Sequence, residues 1–218
     1  MEFLRHRSGC FILIAVLLPF TAPAGSLSEG NPLPAFGQDT VLVWKIQNQE
    51  FSSDFVVRIA GFSPDRFLEW EDASAQGTIF MPSRDIEGAG GYTSAHLFSA
   101  GADTRSRNTT TLWLSRSIFR ELKEKKRAKL AIDGVRGLMT FQGEDQLIVE
   151  VNRASLALPV IKVSDDRGAE RWFLDQEENP LMLKHQLRQF SQTLISITTD
   201  RPNTLRWIKG KKLANPPR

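Results

Sequence analysis

From Arg127 to Leu174 the chain repeats one pattern: a short β-favouring run, then turn residues, roughly every ten positions. The segments "RAKLAI", Asp133-Gly134, "VRGLMTF", Gly143-Glu144-Asp145, "QLIVEV", "LALPVIKV", Asp165 to Gly168 and "ERWFL" follow almost without a break. A meander of antiparallel strands needs this spacing, with a turn at each joint. A second group lies upstream: "TVLVWKIQ" (40–47), "DFVVRIAGF" (54–62), "RFLEWED" (66–72) and "GTIFMP" (77–82). The expected fold is therefore mainly β, a β-rich α+β chain built as a curved antiparallel sheet or partly open barrel with one short helix packed against it.

Alternation assigns the faces. In "QLIVEVN" Leu147, Val149 and Val151 share one side, with Ile148, Glu150 and Asn152 on the other, so one face is buried and the other wet. A curved sheet would turn Val41, Val43, Phe55, Val57, Leu138, Val149, Val151 and Ile161 inward. Pro159 cannot donate a ladder hydrogen bond, which places its strand at an edge or a bulge. The helix is expected over residues 116–126. There a Ser lead-in precedes Ile118, Phe119 and Leu122, and cations crowd the end where the helix dipole is negative.

Two stretches read either way. In "RWFLDQEENPLMLKH" Asn179-Pro180 could cap a helix, but Leu181, Leu183 and Leu187 alternate with Lys184, Gln186 and Arg188, which favours strands over 181–187 and 192–199. Asp175 to Pro180 is then a hairpin connection whose neighbours Trp172, Phe173, Leu181 and Leu183 act through packing. The Gly-rich segment from Gly88 to Arg105 is the longest stretch without strand character, either slack between strands or a binding loop.

The first residues bear on destination. Arg5, His6 and Arg7 precede the apolar run Cys10 to Phe20, and small residues follow at Ala22 and Ala24. That is the layout of a secretory signal, with cleavage expected after Ala24, export to the periplasm or outside the cell, and no transmembrane span afterwards. Cys10 is the single cysteine and lies within the signal, so the remaining chain can form no internal disulfide. The expected organisation is a signal peptide over 1–24, a flexible lead over 25–38, one β-rich domain over 39–208 and a basic tail over 209–218.

Chemistry is sparse. Three histidines are present, and His96 and His185 lie outside the signal without partners at metal-ligand spacing, so no metal site is expected. "GAGG" opens no helix carrying Lys, so no nucleotide cofactor is expected. "LAIDGV" lacks the hydroxyl residue of an aspartic-protease turn, and Asp133-Gly134 is read as a hairpin turn. A net charge of +3 does not by itself imply a polyanionic partner, and no nucleic acid is expected.

Two groups of candidates remain. Tyr92, His96, Phe98 and Arg105 lie on or at the end of the Gly-rich segment and could bind a ligand. Lys125, Lys126 and Arg127, with Trp207 and Lys209 of the tail, concentrate cations beside an aromatic ring and could touch an anionic membrane or glycan surface. An enzyme reading would instead centre on His96 with Ser94 or Asp103, making the chain a hydrolase. A third reading is a purely structural envelope subunit.

The signal, the long meander, the crossing helix and "WFLDQEENPLML" together resemble, in layout over residues 40–200, exported bacterial β-rich proteins related in outline to the periplasmic lipoprotein-carrier fold. That resemblance implies a curved sheet covered by helices around an apolar cavity for acyl chains. A non-enzymatic binding or envelope-assembly role for an apolar or amphipathic ligand follows as the functional expectation, with lipid or another envelope component as partner.

Overall fold

The computed structural model describes residues 33, 35–94 and 97–199. Twelve strands form one curved sheet. The first four are β1 (Val41–Gln47), β2 (Ser52–Gly61), β3 (Arg66–Glu71) and β4 (Gln76–Met81), followed by the helix α1 (Ser83–Gly88) and the short strands β5 (Gly91–Tyr92) and β6 (Asp103–Arg105). Then come α2 (Arg116–Lys125), β7 (Arg127–Ile132), β8 (Val135–Val151), β9 (Ala154–Asp165), β10 (Glu170–Leu174), β11 (Met182–Leu187) and β12 (Phe190–Thr198). The order across the sheet is β5-β7-β8-β9-β10-β11-β12-β1-β2-β3-β4-β6.

Curvature brings the sheet back onto itself. The end of β12 pairs in parallel with the end of β8, Ser196 with Glu150 and Ile197 with Val151, so β8 to β12 form a partial ring. The strands flanking it leave the whole open, and it is not a barrel. β1 lies between β12 and β2, and Val41, Leu42, Val43 and Trp44 are all buried in succession, as a strand covered on both faces requires.

The turn chemistry fits the expected meander. Asp133 and Gly134 both have positive φ (50° and 80°), the backbone that lets a two-residue turn follow the strand twist between β7 and β8. Asn152 and Arg153 (48° and 73°) do the same between β8 and β9. Gly143-Glu144-Asp145, expected as a turn, is instead interior to the 17-residue β8. Gly143, with φ 147°, takes the bulge between Phe141 and Gly143 and bends the strand without ending it. Pro159 is a correction: its strand β9 is interior, between β8 and β10, with no bulge at the proline, and it is tolerated because the β10 ladder reaches only as far as Val160, with the Pro159 carbonyl accepting from Asp175 N at 2.9 Å just past it. Its missing donor therefore faces the side where no strand continues.

The strand assignment for 181–187 and 192–199 matches β11 and β12. Helix α2 spans the expected residues, capped where the Ser115 hydroxyl accepts from Ile118 N, and it buries Ile118, Phe119 and Leu122. A second helix, the six-residue α1, was not expected. Val149 and Val151 are buried while Ile148 is 69% exposed, as alternation requires. Leu138 is a correction: Met139 takes the buried position, and Leu138 faces outward opposite Lys129. Leu33 and Phe36, within the stretch read as a flexible lead, pack on the core, with the Phe36 ring stacked 6.3 Å from that of Phe62.

The Asp175 to Pro180 connection is fastened to α2. Arg120 donates to Glu177 at 2.6 Å, Arg116 pairs with Glu178, and Lys123 bridges Asp175 and Glu144. These pairs are solvent-facing, so changing Glu177 or Glu178 to Gln is expected to shift stability by about 0.5 kcal/mol or less per site. Denaturant midpoints of the two variants check this.

Candidate functional site

The hairpin of β7 and β8 has two unlike faces. Ala128, Leu130 and Ile132 are buried, so their neighbours Arg127, Lys129 and Ala131 face outward. The register places Thr140 beside Arg127, Leu138 beside Lys129 and Arg136 beside Ala131. That outer face therefore carries three cations around one half-buried leucine. Lys125, from the end of α2, joins them: Glu121, Lys125, Arg127, Lys129 and Leu138 line a cleft of about 390 Å³. Glu121 is taken by Lys125 at 3.3 Å, and among the described residues no salt bridge engages Arg127, Lys129 or Arg136. At the hairpin tip Val135 is 57% exposed.

Of the cations expected to meet an anionic surface, Lys125 and Arg127 are thus brought together. Lys126 leaves the group because it ends α2 in the left-handed conformation and lays its ammonium 4.2 Å over the Phe141 ring. Trp207 and Lys209 lie outside the described residues. Lys129 closes the basic run Lys123 to Lys129, whereas Arg136 and Leu138 were not among the expected site residues; the alternation in "RAKLAI" already sets Arg127 and Lys129 on one face.

The residues proposed on the Gly-rich segment separate. Tyr92 is buried with its hydroxyl 3.1 Å from the Met182 sulfur, and burial pushes that hydroxyl's pKa up. Phe98 packs edge-on against Phe55 and Trp70 at 5.0 and 5.5 Å. Both side chains are occupied in packing. Arg105 ends β6 and rests its guanidinium 5.0 Å over the Phe80 ring, beside Arg84 and Arg107. His96 lies outside the described residues. Of its suggested partners, Ser94 donates its backbone N–H to Asp133, and Asp103 accepts from the Thr78 hydroxyl.

Three buried polar side chains line up across the sheet beside a valine. Val163, Arg171, His185 and Gln192 stand side by side on four adjacent strands, all buried. Arg171, 2% exposed, donates to Asp165 at 2.8 Å, and Asp165 also accepts from the backbone N–H groups of Arg167 and Ala169. Burial alone would raise the Asp165 pKa, but the bonds from Arg171 and the backbone outweigh it and hold the carboxyl below its usual range. His185 is 5% exposed, its ring meets Phe190 at 5.5 Å, and among the described residues neither ring nitrogen has a hydrogen-bond partner.

Burial first, and the Arg171 charge second, push the His185 pKa down to about 4. The folded state therefore keeps this imidazole neutral where the unfolded chain would protonate it below about 6.5. The stability it leaves intact is fully present above pH 6.5 and is lost as the pH falls toward 4, about 3 kcal/mol across that window. Chemical denaturation at successive pH values should show this slope, and His185→Gln should flatten it.

Among the described residues no group of three or more His, Cys, Asp or Glu side chains is placed to hold a metal ion, and no helix is long and apolar enough to cross a membrane. No known family, curated protein or solved structure matches the chain.

Proposed function

We propose that the chain is an exported, non-enzymatic binding or envelope-assembly protein for an amphipathic ligand, and that it meets the anionic side of that ligand with the outer face of the β7–β8 hairpin. The observation that carries this is the cleft in which Lys125, Arg127 and Lys129 surround Leu138, with Arg136 on the same hairpin face. Cations around a small apolar patch, of which Arg127, Lys129 and Arg136 have no salt bridge among the described residues, suit a surface that is charged outside and apolar beneath, as lipid headgroups over acyl chains are. The exposed Val135 at the hairpin tip adds an apolar contact beside the charge. The layout resemblance to lipoprotein carriers agrees in ligand class and carries no residue-level argument.

Native mass spectrometry of protein purified from its own host tests the reading. An anionic lipid or lipid-modified component is expected to copurify with the natural chain and to be depleted when Arg127 and Lys129 are both changed to Gln. Protein that arrives bare under conditions that preserve other lipid complexes would contradict it.

A further inference from the structure

A second cleft, of about 600 Å³, lies between α1 and β6 and is lined by Arg84, Asp85, Arg105, Arg107 and Asn108. Its scaffold is fixed before any ligand arrives. Asp85 is 3% exposed, and its two oxygens accept from the Ser106 hydroxyl at 2.5 Å and the Asn108 backbone N–H at 3.2 Å. Ser106 N donates to the Phe80 carbonyl at 2.9 Å, and Asn108 Oδ1 accepts from Gly90 N at 2.9 Å. The segment 105–108 is thereby tied to β4, to α1 and to the start of β5. Its arginines are left over from that bonding. Arg105 holds its guanidinium carbon 5.0 Å over the Phe80 ring, Arg84 reaches Asp85 no closer than 3.8 Å, and among the described residues no salt bridge engages Arg105 or Arg107.

The geometry points to a binding site for a phosphate-type oxyanion, presented as a phosphomonoester or diphosphate. Three guanidinium groups face one carboxylate that is already spent on holding the backbone, so the cleft carries an excess of about two positive charges, matching the roughly −1.5 to −2 of a phosphomonoester at neutral pH. Arginine presents paired N–H donors that fit two oxygens of one phosphate at once, and those of Arg105 have no hydrogen-bond acceptor among the described residues. The Asn108 amide NH2, without a hydrogen-bond partner among the described residues, adds a neutral donor. The site differs from the hairpin face in both residues and ligand chemistry, so either can fail alone. Two sources share this chemistry: a lipid headgroup ending in a phosphomonoester, and a soluble phosphate ester.

Calorimetric titration of the full chain with pyrophosphate at low salt is the test. Saturable binding is expected, weakened at least about tenfold in the double variant Arg105→Gln/Arg107→Gln. Both positions are exposed, and an unchanged melting temperature should accompany the loss. Vesicles of phosphatidylcholine doped with phosphatidic acid or, at equal surface charge, phosphatidylglycerol distinguish the sources. A preference for phosphatidic acid that the double variant loses identifies a lipid phosphomonoester, and pyrophosphate binding without that preference identifies a soluble ester. Arg127→Gln/Lys129→Gln should leave the pyrophosphate titration intact. Absence of saturable pyrophosphate binding, or binding equally strong in the Arg105/Arg107 variant, would overturn the assignment.

Discussion

Replacing Arg171 with alanine is expected to destabilise the protein by about 3–5 kcal/mol, because it leaves a buried carboxylate without its cation. Asp165 and Arg171 form a 2.8 Å pair in which both side chains are almost wholly enclosed. Backbone donors at Arg167 and Ala169 satisfy part of the Asp165 carboxylate, but they do not neutralise it. The alanine also removes the guanidinium that lies 5.7 Å from the Tyr92 ring. Removing the charge from both partners, as in Arg171→Met with Asp165→Asn, should cost distinctly less than the sum of the two single changes, because no unpaired charge remains. Urea titrations of the two single variants and the double variant measure this coupling; additive losses would mean that the pair contributes nothing as a pair.

Trp113→Ala should cost a comparable amount, about 3–5 kcal/mol. The ring is fully buried, and its Nε1 donates to Asn179 Oδ1 at 2.6 Å. Its face lies 4.5 Å from the Arg66 guanidinium, which is also 4.9 Å from the Phe62 ring. Arg66 is an unusual cation: burial first and the nearby Arg116 charge second lower its pKa to about 9, and among the described residues its Nε and Nη1 have no hydrogen-bond partner. Taking away one of its two aromatic walls opens a cavity and also removes a favourable cation–π contact. Trp113→Phe should restore most of the packing and lose mainly the bond to Asn179, so calorimetric melting should place it between the natural chain and the alanine variant. A phenylalanine variant as unstable as the alanine one would mean that the indole N–H, and not the ring, holds this corner together.

The sheet could be read from the chain because its strands obey a period of two and its turns use residues that tolerate positive φ, Asp133-Gly134 above all. Gly143 misled for the same reason: glycine beside acidic residues marks a turn in most contexts, and only the neighbouring strands reveal that here it bends β8 without breaking it. Leu138 was placed inward because its hydrophobicity outweighed its register, whereas Lys129 across the ladder fixes it on the outer face. Helix α1 was missed because six residues after a proline carry too little periodicity to register.

The candidate sites divide along the same line. Arg127 and Lys129 share a face by local alternation, which a sequence displays directly. Arg84 and Arg107 meet Arg105 only because Asp85 ties two segments together across a gap of more than twenty residues, and no local pattern carries that information. Tyr92 and Phe98 looked available on a Gly-rich stretch, but long-range packing against Phe173 and Trp70 occupies both rings.

Flotation of the full chain with vesicles is the most direct test of an amphipathic, anionic ligand met by the hairpin face. Binding to vesicles of phosphatidylcholine containing phosphatidylglycerol is expected to exceed binding to phosphatidylcholine alone and to weaken with added salt. At about 1 kcal/mol for each cation near an anionic surface, Arg127→Gln/Lys129→Gln should reduce the partition coefficient roughly 30-fold with no change in melting temperature. Equal binding to neutral and anionic vesicles, or a double variant that floats as well as the natural chain, would contradict it.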